Sequence, residues 1–155
     1  MQPNLLTSST RTPHARVSWR WRFGLVIACL LLVAVDLALR LFSYRRLCRV
    51  LLATSPTPDS ARVDLSAALA YGRLVNKATP PWITCLRRSL VTWWLMRWGG
   101  LPSQVCIGVK LDGGNTSHSW VEHHGQVIND APEIGQLYPI QFSDTLDPDH
   151  FAQLT

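Results

Sequence analysis

Two periodicities divide the chain. Up to Gly100 the apolar residues recur at helical spacing or fill whole turns, and beyond it they alternate with polar ones, the period of strands. Phe23 to Leu39 is apolar on every side except Asp36, which Arg40 can pair at i+4. Leu41 to Leu52 continues helically with Leu41, Tyr44, Leu47, Cys48, Leu51 and Leu52 on one face, so residues 23–52 are expected as one long or once-broken helix. Ser55-Pro56-Thr57-Pro58-Asp59 ends it; Asp59 or Ser60 then caps a helix through about Asn76, with Val63, Ala67, Ala70 and Leu74 as its stripe. Pro80-Pro81 excludes helix, Thr84 caps the next one, and Gly99-Gly100 with Pro102 stops it. Strands are expected within 104–110, 117–122 and 126–130, the first two joined at the turn Asp112-Gly113-Gly114-Asn115. After Asp130, Ala131-Pro132, Tyr138-Pro139 and Asp147-Pro148 break the chain into short pieces, with Phe142 and Phe151 expected over the sheet edge. The pattern predicts an α+β fold: N-terminal helices, then a helix that starts at Cys85 and packs on an antiparallel sheet of at least three strands.

The 155 residues suit one compact domain with an N-terminal extension. Residues 1–18, rich in Ser, Thr and Pro, are expected to be disordered; 19–54 form an apolar, arginine-rich helix and 55–155 the main domain. Fifteen Lys and Arg against ten Asp and Glu leave a net charge of +5. The arginines stand in blocks before Phe23, between Arg40 and Arg49, and around Cys85, not in a stripe interleaved with aromatics. This argues against nucleic acid and suits a membrane surface or an acidic partner. Cysteines at 29, 48, 85 and 106 have no C-x-x-C spacing, which fits a reducing compartment better than a disulfide framework or a zinc ribbon. No small-residue cleavage site follows the apolar run, so the expected location is cytoplasmic. Residues 23–39 fall just below spanning length, and three placements suit them: across a membrane, in its interface (the inner face of the cell membrane), or packed on protein.

The candidate chemistry lies between Thr84 and Asp130. A thiol at Cys85 sits in the first turn of its helix, facing unpaired backbone N–H groups and the positive end of the dipole, with Arg87 and Arg88 adding charge. A buried cysteine that does nothing is the competing reading. Period 2 puts His118, Trp120 and Glu122 on one face of their strand and Ser119 and Val121 on the other. Gly125 supplies a left-handed position, so a three-residue loop His123-His124-Gly125 is expected, pairing Glu122 with Gln126 and setting His118 opposite Asp130. Opposed side chains have Cβ atoms about 5 Å apart, close enough for a carboxylate to hold an imidazole. A two-residue loop would put Asp130 opposite Ser119, on the wrong face. Together Cys85, His118 and Asp130 read as nucleophile, general base and orienting carboxylate, with the Cys85 backbone N–H as one oxyanion donor and a second donor unassigned. His123 and His124 invite a metal, but no third or fourth ligand accompanies them; they are expected in the loop, exposed to water, with no metal bound. Trp93, Trp94 and Trp98, at helical spacing, read as packing, and Glu122 is left without a role. No glycine loop for phosphates and no paired carboxylates for sugar chemistry are present.

Cys85-Leu86-Arg87-Arg88-Ser89-Leu90, the following Trp93-Trp94-Leu95-Met96-Arg97-Trp98-Gly99, Ile107-Gly108-Val109, and His118-Ser119-Trp120-Val121-Glu122 with Gly125 and Asp130 resemble the transglutaminase-like leader peptidases of lasso-peptide biosynthesis. The likeness covers about half the chain and extends more loosely back to Arg40. Ser119 stands where that family more often has alanine, a small residue for a small one. The resemblance implies a transglutaminase or papain-like core and a cysteine peptidase that needs no cofactor. It implies a ribosomally made precursor peptide as substrate, whose core is then closed by an ATP-dependent cyclase of the asparagine-synthetase type. It also implies a small leader-recognition protein as a separate chain. The alternative is a scaffold that keeps this fold without turnover; loss of Cys85, His118 or Asp130 would favour it, and all three residues are present.

Overall fold

In the computed structural model, which describes residues 19–110 and 116–144, four helices precede the sheet. The first, α1 (Trp19–Leu41), and the second, α2 (Tyr44–Thr54), are one helical stretch broken at Phe42-Ser43. α1 lays one face on the domain, burying Ala28, Leu32 and Val35, and α2 buries Leu47, Cys48 and Leu51 in the same core. Asp36 pairs with Arg40 at 2.9 Å as expected, and also with Arg87. The core is therefore continuous across residues 54 and 55, where the sequence suggests a boundary.

The third helix, α3 (Leu65–Ala78), is capped by Asp64, whose carboxylate accepts from the Ala67 N–H at 3.0 Å. The expected caps fall short: Asp59 instead closes a turn onto the Ala61 N–H at 3.0 Å. The later start leaves Val63 outside the helix and exposed, and the inward stripe is Ala68, Gly72, Val75 and Ala78 rather than the expected set. Gly72 sets that face, because a Cβ there would lie 2.3 Å from the Ile128 carbonyl oxygen.

The fourth helix, α4 (Cys85–Trp98), has the predicted limits. Gly100, at φ 72°, closes it in a Schellman turn: its own N–H reaches the Arg97 carbonyl at 2.9 Å, and the Leu101 N–H reaches the Met96 carbonyl at 2.9 Å. Leu90, Val91, Trp93 and Met96 are its buried apolar residues, beside buried Ser89 and Thr92, so Trp93 packs as expected, whereas Trp98 is exposed.

The sheet comprises β1 (Gln104–Lys110), β2 (Thr116–His123), β3 (Gln126–Val127) and β4 (Ile140–Asp144) in the order β3-β2-β1-β4, with a single helical turn, α5 (Ile134–Leu137), before the last strand. β1 and β2 pair antiparallel with Gln104 opposite Glu122 and Gly108 opposite His118. The segment around Phe142, expected only as cover, is itself an edge strand with Phe142 opposite Ile107. The 112–115 turn, residues 1–18 and Phe151 lie outside the described residues. Val105 and Val121 face the helical core, while Cys106 and Trp120 on the opposite face form a small cluster with Ile134 and Tyr138.

The second hairpin corrects the expected register. His124 (φ 48°) and Gly125 (φ 76°) form a two-residue loop, so Glu122 pairs with Val127 and His123 with Gln126. Histidine tolerates the left-handed region better than most residues, and a second such position next to Gly125 makes the tighter turn possible. His123 is consequently the last residue of β2 and buried, not an exposed loop residue. The third strand stops at Val127 instead of running to Asp130.

Candidate active site

The short β3 decides how the site is built. Its ladder ends with the Ile128 N–H on the Val121 carbonyl at 2.9 Å, so beyond this point the outer edge of β2 has no strand beside it among the described residues. Other groups cover that edge. Asn129, 1% exposed, accepts the Val121 N–H on its side-chain oxygen at 2.8 Å and donates from its amide to the Ser89 hydroxyl at 3.2 Å. Ser89 in turn donates to the Ser119 carbonyl at 3.0 Å, and the Asn129 carbonyl accepts from the Asn76 amide at 3.0 Å. One buried asparagine thus ties α3, α4 and β2 together and satisfies backbone groups that a longer strand would have paired.

Asp130 follows Asn129 after the chain has left the ladder, so strand alternation no longer governs where its carboxylate points. It meets His118 despite the register that sequence reasoning would count against it: the His118 Nε2 to Asp130 Oδ2 distance is 2.8 Å. With an ionised carboxylate as acceptor, Nε2 carries the proton and Nδ1 is left as the accepting nitrogen. Arg88 binds the same carboxylate oxygen at 2.8 Å, and the other oxygen takes the Ala131 N–H at 2.9 Å. The imidazole is held face-on as well. Tyr138 stacks on it with ring centroids 5.3 Å apart and planes inclined by 25°, and Trp120 lies at 6.4 Å and 21°.

Glu122 acquires a part in this stack. Its carboxylate accepts the Trp120 indole N–H at 2.8 Å and the Gln104 amide at 3.2 Å, fixing the ring that lies beside His118. Gly108 makes room, since a Cβ there would sit 2.5 Å from the Tyr138 Cβ and 2.9 Å from the Trp120 ring. Beneath them burial, and secondarily the Glu122 carboxylate, push the Cys106 thiol from 9.0 up to about 12, so it stays protonated and inert near neutral pH.

Cys85 is the first residue of α4 and a free, half-buried thiol. It precedes Ser89 by about 6 Å of helical rise, on the end of α4 that covers the β2 edge. Among the described residues its thiol makes no hydrogen bond, to His118 or to any other group. The arginines beside it are not free charges, as the sequence suggests. Arg87 pairs with Asp36 and donates to the Thr84 hydroxyl at 2.7 Å, and Arg88 is spent on Asp130. His123 hydrogen-bonds the Pro102 carbonyl at 2.6 Å, and among the described residues no three His, Cys, Asp or Glu converge as a metal would require. Arg88 on Asp130, Asn129 and Tyr138 are not predicted by the sequence pattern; only Asn129 carries a signal, as an amide within the expected third strand.

The profile of the transglutaminase-like superfamily matches residues 29–141 of the chain. Comparison with curated proteins and with solved structures finds no match. The matched region begins inside α1, in keeping with a core that includes this helix.

Proposed function

The chain belongs to the transglutaminase-like superfamily, generally cysteine proteases and transferases, and from that premise we propose that it is a cysteine peptidase. Its substrate is a ribosomally made lasso-peptide precursor, from which it removes the leader and frees the core's N-terminal amine for an ATP-dependent cyclase. The Cys85 sulfur attacks the scissile carbonyl, Nδ1 of His118 takes the thiol proton and returns it to the leaving amine, and water then releases the acyl group from sulfur. Asp130 keeps the other imidazole proton on Nε2 throughout. The Cys85 backbone N–H, in the first turn and without a helical acceptor, serves the oxyanion. A small leader-recognition protein presents the substrate as a separate chain, in the cytoplasm.

The observation that supports this reading most is the 2.8 Å contact of His118 Nε2 with Asp130, on the strand edge covered by the helix that Cys85 begins. The resemblance of the Cys85, His118 and Asp130 segments to the lasso-peptide enzymes supports the choice of substrate. The other reading is a scaffold with this fold and no turnover; the Cys85 thiol, unbonded to His118, favours it. Incubating purified protein with precursors encoded beside it, with and without the separate recognition protein, and weighing the products separates the two. The peptidase yields two fragments summing to precursor plus one water, and the scaffold leaves the precursor intact.

A further inference from the structure

α1 has two apolar faces, and among the described residues the domain covers one. Ala28, Leu32 and Val35 are buried, whereas Phe23, Val26, Leu30, Val33, Leu37 and Leu41 are each more than half exposed. The exposed set recurs at steps of three and four, a single stripe about 27 Å long on the side away from the core. At its C-terminal end the stripe continues into an apolar groove between α1 and α2, lined by Ala38, Phe42, Leu47 and Val50 with Arg46 at its rim. So long an uncovered stripe on a protein of this size marks an interaction surface.

Charge identifies the occupant. Residues 19–54 hold six arginines, at 20, 22, 40, 45, 46 and 49, against Asp36 alone, and the remaining nine cations of the chain are balanced by nine carboxylates. The whole net charge of +5 therefore belongs to the segment that carries the stripe. Arg22 precedes the stripe, Arg40 stands near its C-terminal end, and Arg45, Arg46 and Arg49 are exposed on α2. Trp19 and Trp21 stand at the N-terminal end of the sequence of α1, the residue type enriched where a helix meets headgroups. We propose that the outer face of α1, with the arginines of α2 beside it, docks on an anionic lipid bilayer, the helix lying in the interface without crossing. Length alone would let 22–41 span. Spanning, however, would strip Ala28, Leu32 and Val35 from the core and break the Asp36–Arg87 pair, whereas lying flat buries only what is already exposed. Long arginine side chains can then reach phosphates from the rim of the apolar contact.

The test uses the full chain and vesicle flotation, with phosphatidylcholine vesicles either pure or containing phosphatidylglycerol. Binding to the anionic vesicles should exceed binding to the neutral ones roughly tenfold or more, fall with added salt, and be reversed by an alkaline carbonate wash. Combined Leu30→Gln, Val33→Gln and Leu37→Gln should reduce binding about tenfold or more with an unchanged circular dichroism spectrum, since none of the three belongs to the core. Combined Arg45→Gln, Arg46→Gln and Arg49→Gln should reduce the preference for anionic lipid severalfold, and an unchanged preference would show that these arginines do not face the bilayer. Retention through the carbonate wash would overturn the proposal in favour of a spanning helix. Absence of binding with concentration-dependent self-association would overturn it in favour of a second copy, and equal binding by the apolar variant would show that another surface is responsible.

Discussion

Replacing Asn129 by alanine tests the construction of the site at the residue that carries most of it. The substitution removes the acceptor of the buried Val121 N–H and the donor to Ser89, and leaves the backbone contact from Asn76 in place. A buried N–H stripped of its partner costs about 1–3 kcal/mol, and the lost amide-to-hydroxyl bond about 0.5–1.5 kcal/mol, for a combined loss of about 2–4 kcal/mol. At this chain length that lowers the melting temperature by roughly 5–15 °C. Urea unfolding followed by circular dichroism should give a lower midpoint with an unchanged slope. Asn129→Asp retains the acceptor for Val121 but loses the donor and buries a second carboxylate next to Asp130, so near neutral pH it should be at least as destabilising as alanine. Leader cleavage by folded Asn129→Ala should also drop, because Asp130 depends on the bend that Asn129 pins. A stability change under about 0.5 kcal/mol would mean that water or backbone replaces the amide and that the edge is not held in this way.

Three further outcomes follow from the packing. A chain lacking residues 1–40 should fail to unfold cooperatively in urea, because Ala28, Leu32 and Val35 leave the core; a cooperative transition at wild-type midpoint would show the helix to be dispensable. Gly108→Ala should cut leader cleavage roughly 10- to 100-fold by pushing Tyr138 and Trp120 off the His118 ring, and wild-type kcat/KM would show that the stack does not position the imidazole. The folded state holds the Cys106 proton more tightly than the unfolded chain does, so this residue's contribution to stability is complete below pH 9 and is lost as pH rises toward 12. Cys106→Ala should flatten stability over that window, and in the wild type an alkylating agent near neutral pH should reach Cys106 only on unfolding; rapid labelling of the folded protein would contradict its burial.

The α4 limits and the first two strands are legible because they rest on local chemistry: prolines before Thr84, glycines after Trp98, a largely apolar run through Val105–Val109, and alternation from Ser117 to Glu122. The pairing of His118 with Asp130 was also anticipated, but by an argument that the structure replaces. Strand register alone requires a three-residue loop for that contact, and the loop has two residues; what brings Asp130 to His118 is the end of pairing after Val127 and the bend through Asn129. Periodicity describes a strand and says nothing about where it stops. The sequence does not single out the stripe of α3, because three aspartate or serine caps compete within a few residues and only tertiary contact, Gly72 on Ile128, selects Asp64. Likewise the arginines beside Cys85 looked like free charge until their partners, Asp36 and Asp130, arrived from distant segments.

In the proposed mechanism Cys85, His118 and Asp130 act together on a peptide bond. The most direct measurement is the rate of leader cleavage by wild type, Cys85→Ala, His118→Ala and Asp130→Asn, each checked for folding by circular dichroism. Cys85→Ala should abolish cleavage, His118→Ala should cost nearly as much, and Asp130→Asn should lose about 10³- to 10⁴-fold through the wrong imidazole tautomer. Cleavage retained by folded Cys85→Ala would contradict the account outright.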